Sequence, residues 1–346
     1  MKKIAIITIQ SLNYGNRLQN YALQEVLNKY GLCKTVYKNN YSIKLSSKIK
    51  NYIKILRSKT KADYFSKFNL NIKYETRYIA NNKNIAKKYN YFVAGSDQIW
   101  NPLFKFNDDI EFLSFANDDQ KIAYAASIGL SDLPEEYVDV YKERLKGFKA
   151  ISMREEAGTK IVKDLTGRTD VMTVLDPTLL LEKNKWNEIS KKSKFQPDKP
   201  YVFKYILGID NHEIDLEIEK IAKSKNLEIF DLKENSKGDD RPIGPAEFIS
   251  LIANSEMVFT DSFHGTVFSL IYECPFYTIL RPVQEGYGDM SSRIDTLLNM
   301  VNMTNRMVRT VNDIESITCE CTFETAKKII DKKRMESLSF LDKNLK

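Results

Sequence analysis

The chain has 346 residues, 42% of them hydrophobic and 29% charged, which is an ordinary globular composition and enough chain for two domains with their own cores. No run of 18 or more apolar residues occurs, so no membrane-spanning helix is expected. The net charge of +7 favours anionic partners without identifying one.

The N-terminal run "KIAIITI" is β-branched and continuous, as in a strand buried on both faces. Lys2 and Lys3 stand before its apolar residues, as in a secretory signal. The apolar run is short, however, and leads into Gln, Asn and Arg with no small-residue cleavage site, so we read a first strand. The loop "NYGNR" (13–17) follows, with Gly15 at the turn and Asn16 and Arg17 beside it. Leu23, Val26, Leu27 and Tyr30 then form a helical stripe ended by Gly31. Segment 42–61 places Leu45, Ile49, Tyr52, Ile53 and Leu56 on one helical face among seven Lys and Arg residues. It reads either as a surface helix with a solvated basic face or as a basic amphipathic helix in peripheral contact with an anionic membrane.

Further strand candidates lie in 91–96, 121–129, 150–155 and 170–181, and 132–148 reads as a helix with Pro and acids near its start. The lysine-rich stretch 182–199 marks a domain boundary, giving units 1–182 and 183–346. The second unit restarts the rhythm with strands in "YVFKYILG", "LEIFDLK", "MVFTD" and "PFYTIL", each followed by a helical pattern. This is an α/β fold with two Rossmann-like domains, and the cleft between them is the expected site.

His264, one of only two histidines, stands between strand "MVFTD" and helix "GTVFSLIYE". A helix start there would present the N–H groups of Gly265, Thr266 and Val267, with Ser262 and Thr266 hydroxyls nearby, to an anion. Beside such a pocket, an imidazole can ligate phosphate or donate a proton. A capping or core histidine fits the same position. Arg154 follows "AISM" at another strand end, where it suits paired hydrogen bonds to carboxylate or phosphate, or a surface pair with Glu155 and Glu156. Arg293 begins a helix. In "AGSDQIWNP", Asp97 offers a carboxylate and Trp100 a flat face suited to a sugar, or else a plug for the sheet edge. Asp176 in "LDPTLLL" reads as a structural turn. The four cysteines (Cys33, Cys274, Cys319, Cys321) form no disulfide framework and, with the histidines, no zinc spacing, so reduced thiols in the cytoplasm and no metal are expected.

In order, "NYGNRLQNYAL", "FVAGSDQIWNP", "YAASIG", "ISMREEAG", "VLDPTLLL" and "TDSFHGTVFSLIYECPF" resemble the polysaccharide pyruvyl transferase family. The resemblance implies a GT-B-like fold with a central cleft and no cofactor beyond phosphoenolpyruvate as donor substrate. It implies transfer of pyruvate as a ketal to a sugar of a cell-surface polysaccharide or its lipid-linked precursor. His264 and Arg154 match the family's donor-contacting residues, with Phe263, Ser262, Gly265, Thr266 and Arg293 around the donor. Gly15, Asn16, Arg17, Asp97 and Trp100 are expected on the acceptor side. Two positions depart from the pattern: Ser262 stands where arginine is usual, and Asn16 where aspartate is usual. Arg293 or Arg17 is expected to replace the missing cation. From the cysteine usage the protein is expected in the cytoplasm, at the inner membrane face if segment 42–61 is the membrane-contacting helix, and no nucleic-acid partner is expected. A sugar-nucleotide glycosyltransferase on the same fold is the rival reading, and a non-catalytic anion- or membrane-binding relative is another.

Overall fold

The computed structural model describes residues 1–36, 60–75, 83–104, 108–208, 211–235, 242–281, 291–316 and 321–346. The first sheet contains β1 (Lys3–Ile7), β2 (Leu32–Val36), β3 (Tyr74–Glu75), β4 (Tyr91–Ala94), β5 (Lys121–Ala126), β6 (Ala150–Met153) and β7 (Met172–Thr173). Their order is β3-β2-β1-β4-β5-β6-β7, all parallel. Ile4 to Ile7 of β1 and Phe92 to Ala94 of β4 are at most 1% exposed, which is why these runs do not alternate with polar residues. The second sheet contains β8 (Tyr201–Tyr205), β9 (Glu228–Asp231), β10 (Met257–Thr260), β11 (Phe276–Ile279) and β12 (Met307–Val308). Its order is β12-β11-β10-β8-β9, again parallel.

Both orders reverse at one point, between β1 and β4 in the first sheet and between β8 and β10 in the second. Loops leaving neighbouring strands diverge at such a reversal and open a crevice at the carboxyl edge. The first crevice receives the segments after β1 and β4, which carry Asn16 and Asp97. The second receives the segments after β8 and β10, which lead to His264.

The two units share a packed interface. Tyr14, on the first helix (Tyr14–Leu27), stacks on Phe248 of the second unit at 4.7 Å and meets Tyr205 edge-on at 5.8 Å. Trp186, in the helix Lys183–Ser190, packs between Tyr21 and Phe268 and donates to the Thr178 carbonyl.

Two linear readings change, and a third falls almost wholly outside the described residues. The C-terminal helix (Glu324–Leu345), counted with the second unit, packs on the first: Tyr30 bonds Asp342, Leu175 N–H bonds Ser337, Arg334 bonds the Leu179 carbonyl, and Phe340 meets Tyr124. Its amphipathic face is satisfied across space, which sequence order does not show. Gly15 lies inside the first turn of the Tyr14–Leu27 helix, capped by Asn13, and not in a loop. Segment 42–61 lies outside the described residues except Thr60 and Lys61. Thr60 is extended and caps the helix Lys61–Phe68.

Candidate active site

Arg154 leaves the end of β6 with a side chain only 1% exposed. Its Nη1 donates to Asp176 Oδ2 at 3.1 Å and its Nη2 to Asp97 Oδ1 at 3.2 Å. The guanidinium lies 4.5 Å from the Phe263 ring centroid, a cation–π contact across the domain boundary. Burial alone would lower the basicity of Arg154, but the two carboxylates reverse that and raise it. Burial likewise opposes ionisation of both acids. Arg154 leads the groups that hold Asp97 below its ordinary value, while His264, then Arg154 and the Thr178 N–H hold Asp176 well below its own.

Asp176 is therefore central to the site, although its sequence read as a turn. It does make that turn, accepting from the Thr178 N–H at 3.0 Å and hydroxyl at 2.7 Å through Oδ1. Its second oxygen faces Arg154, Ser96 and His264. The signal available in sequence was an acid at the carboxyl end of β7, followed by proline.

His264 is the second residue of the helix Phe263–Tyr272. Its Nε2 is 3.6 Å from Asp176 Oδ2, buried, and without a hydrogen-bond partner. The ring lies against Gly15, where an added Cβ would come within 2.1 Å of Nδ1. The glycine thus lets two helix starts from different domains meet, with the imidazole between them.

The other residues expected around the donor divide by structural role. Ser262 caps the helix, its Oγ accepting from the Gly265 N–H at 3.3 Å. That removes Gly265 from the N–H groups expected to face an anion. Thr266 N–H closes the first helical turn onto the Ser262 carbonyl, and its fully buried hydroxyl bonds Ser262 O and Thr278. The N–H groups that this turn still offers are those of Phe263 and His264. Gly265 is small because an added Cβ would sit 2.5 Å from Thr260 Oγ1, a packing reason and not a ligand-approach reason. Arg293 stands in the first turn of the helix Ser292–Met300 and is lowered to about 10, by burial and then by Arg154, with Arg281 adding to the effect.

Among the residues expected on the acceptor side, Asn16 donates to Asp97 and accepts from Ser11. An aspartate at position 16 would place a carboxylate against that of Asp97, so the amide fits this site. Arg17 is buried, and neither its Nε nor its Nη1 has a hydrogen-bond partner. Trp100 is corrected. It is fully buried, stacked on Phe112 at 5.2 Å, and donates to the Glu111 carbonyl, so it offers no face to a sugar.

An open cavity of about 500 Å³ adjoins Arg154 and Phe263 and is also lined by Arg293, Thr296, Thr173 and Lys333. Sequence reading missed Lys333, which reaches the cavity from the C-terminal helix. Among the described residues, no group of three or more His, Cys, Asp or Glu is placed to hold a metal ion, and no helix is long and apolar enough to cross a membrane.

Solved structures share this architecture. The UDP-GlcNAc 2-epimerase of Methanocaldococcus jannaschii, in complex with UDP-GlcNAc and UDP, aligns with TM-score 0.51 and 15% identity over 95% of this chain and 98% of its own. A Listeria monocytogenes protein provisionally described as a UDP-N-acetylglucosamine 2-epimerase aligns with TM-score 0.54 and 11% identity over 95% and 90%. At these identities the likeness establishes the fold, which is GT-B-like. No curated protein sequence matches the chain. The family model for polysaccharide pyruvyl transferase matches residues 13–281, which span the paired carboxylates, Arg154 and the His264 helix, and the chain belongs to that family.

Proposed function

We propose that the protein transfers the pyruvyl group of phosphoenolpyruvate to two hydroxyls of a sugar in a cell-surface polysaccharide or its lipid-linked precursor. The observation that carries this reading is the imidazole of His264. It is buried where the two domains meet, lacks a hydrogen bond at Nε2, and lies 3.6 Å from Asp176 Oδ2, the same oxygen that accepts from Arg154.

The reaction adds a proton to the methylene carbon of the donor, leaving oxocarbenium character at the carbon that bears phosphate. One sugar hydroxyl forms a bond to that carbon, the bond to phosphate breaks, and a second hydroxyl closes the ketal. Of the two hydroxyl protons, one balances the proton placed on the methylene carbon and the other leaves with phosphate. His264, oriented by Asp176, delivers the proton as general acid. Arg154 and Arg293 balance the donor's carboxylate and phosphate. Asp97, held ionised by Arg154, is poorly suited to accept a proton from the sugar, so its role is to position Arg154 and Asn16. Gly15, Asn16 and Arg17 border the acceptor side.

The test is phosphate release from phosphoenolpyruvate with a panel of lipid-linked or nitrophenyl glycosides. His264→Ala is expected to lower turnover roughly 10²–10⁴-fold. A near wild-type rate for that variant ends the assignment. The epimerase of like fold binds UDP-GlcNAc, so thermal stabilisation by sugar nucleotides and not by phosphoenolpyruvate would favour a glycosyltransferase instead.

A further inference from the structure

The cavity beside Arg154 is built from three separate stretches of chain. Arg154 and Thr173 come from the first domain, Arg293 and Thr296 from the helix Ser292–Met300, and Lys333 from the C-terminal helix. Two carboxylates border it. Asp176 is engaged by Arg154 and His264, and Glu156 is exposed at the rim. Among the residues that line it, the cations Arg154, Arg293 and Lys333 outnumber those two carboxylates, while Asp97, outside the lining, also holds Arg154; a lining of this kind favours an anion.

The backbone at Lys333 is fixed from both sides. Arg334, the next residue, bonds the Leu179 carbonyl at 2.8 Å. Ser337, one turn on, accepts from the Leu175 N–H at 3.0 Å and donates to the Lys333 carbonyl at 2.8 Å. Leu175 and Leu179 line the same cavity. Among the described residues, Lys333 Nζ pairs with Glu336, at 2.7 Å on a half-exposed helix face. An exposed pair of that kind contributes little, so its ammonium can turn to an incoming anion at small cost.

We propose that Lys333 is a donor-binding residue, and that the returning C-terminal helix completes the pocket for the phosphate of phosphoenolpyruvate. The inference rests on the pyruvyl-transfer reading for the identity of the donor. The helix lies beyond the stretch 13–281 matched by the family, and its contribution comes from the way it folds back.

The test has two arms. In steady-state phosphate release, Lys333→Ala is expected to raise KM for phosphoenolpyruvate about tenfold with kcat within about twofold, since one charge-assisted bond present in ground and transition states alike is lost. Lys333→Arg should restore KM. Glu336→Gln should leave KM unchanged or lower, whereas a lysine serving only the helix pair would make both substitutions equally harmful. In the second arm, inorganic phosphate is titrated against thermal stability. Stabilisation of the wild type that is weakened in Lys333→Ala supports the site whatever the donor. An unchanged KM in Lys333→Ala, equal harm from Glu336→Gln, or equal phosphate stabilisation of wild type and Lys333→Ala overturns the proposal. A wild type that phosphate stabilises through Lys333 but that releases none from phosphoenolpyruvate overturns the donor identity and leaves the anion site standing.

Discussion

The carboxyl edges of the two sheets look alike in topology and differ in chemistry. At the first edge, charges are closed upon one another: Arg154 spans Asp97 and Asp176, and Asn16 donates to Asp97. At the second edge stand a helix start, an imidazole with an unpartnered nitrogen, and an arginine whose basicity is lowered by burial and then by its like-charged neighbours. An anion arriving at the first edge alone meets two carboxylates for one guanidinium. Arriving from the cavity side, it also meets Arg293 and Lys333. On the proposed mechanism, the first domain mainly holds geometry, while the second supplies the proton and, with the returning C-terminal helix, much of the attraction.

The comparison can be broken most severely at Arg154. Arg154→Ala leaves two buried carboxylates without their cation and is expected to cost about 3–5 kcal/mol, read as a fall in the urea midpoint. A midpoint within about 0.5 kcal/mol of wild type would mean that the first edge is not a structural lock. Next is the point where the two edges touch. Gly15→Ala puts a methyl group 2.1 Å from His264 Nδ1, so the ring must move. Displacement of a catalytic group by about 1 Å costs roughly 10²-fold in turnover. The loss should appear in kcat and not in thermal stability of the same order, and unchanged kcat would separate the glycine from the imidazole's function.

A smaller effect sharpens the acceptor side. Trp100→Phe keeps the stacking on Phe112 but removes the indole's bond to the Glu111 carbonyl, at about 1 kcal/mol in denaturant unfolding. Acceptor KM should not change, and an increase would return the indole to the sugar site. The smallest effect is in acid. Asp97 and Asp176 have folded values below their unfolded ones, near the usual carboxylate value of about 3.9. Their contribution is complete above that pH and is lost as pH falls through the folded values. Asp176→Asn should flatten the slope of stability against pH below about 4, and a slope equal to wild type would show that this acid is not held ionised.

Much of the frame is legible in the sequence because the central strands are uninterrupted apolar runs and the second half repeats strand then helix. β3 and β12 have two residues each, and β2 places Lys34 and Thr35 among its five, so none offers a comparable run. At the site, His264 and Arg154 were readable as strand-end groups of rare or charged type. Asp176 was hidden because one of its oxygens does serve the turn, and only the other faces the chemistry. Trp100 was misassigned because exposure is not encoded by residue type.

The sequence by itself determined the periodicity, the family motifs and the placing of functional types at strand ends, since each depends on neighbours within a few residues. Tertiary structure alone decided which of those ends face each other. The pairing of Arg154 with Asp97 and Asp176, the meeting of Gly15 and His264, and the return of Lys333 to the cavity all join residues distant in the chain. Those contacts are set by how the two sheets and the last helix bury their apolar faces together, and local pattern carries no record of that.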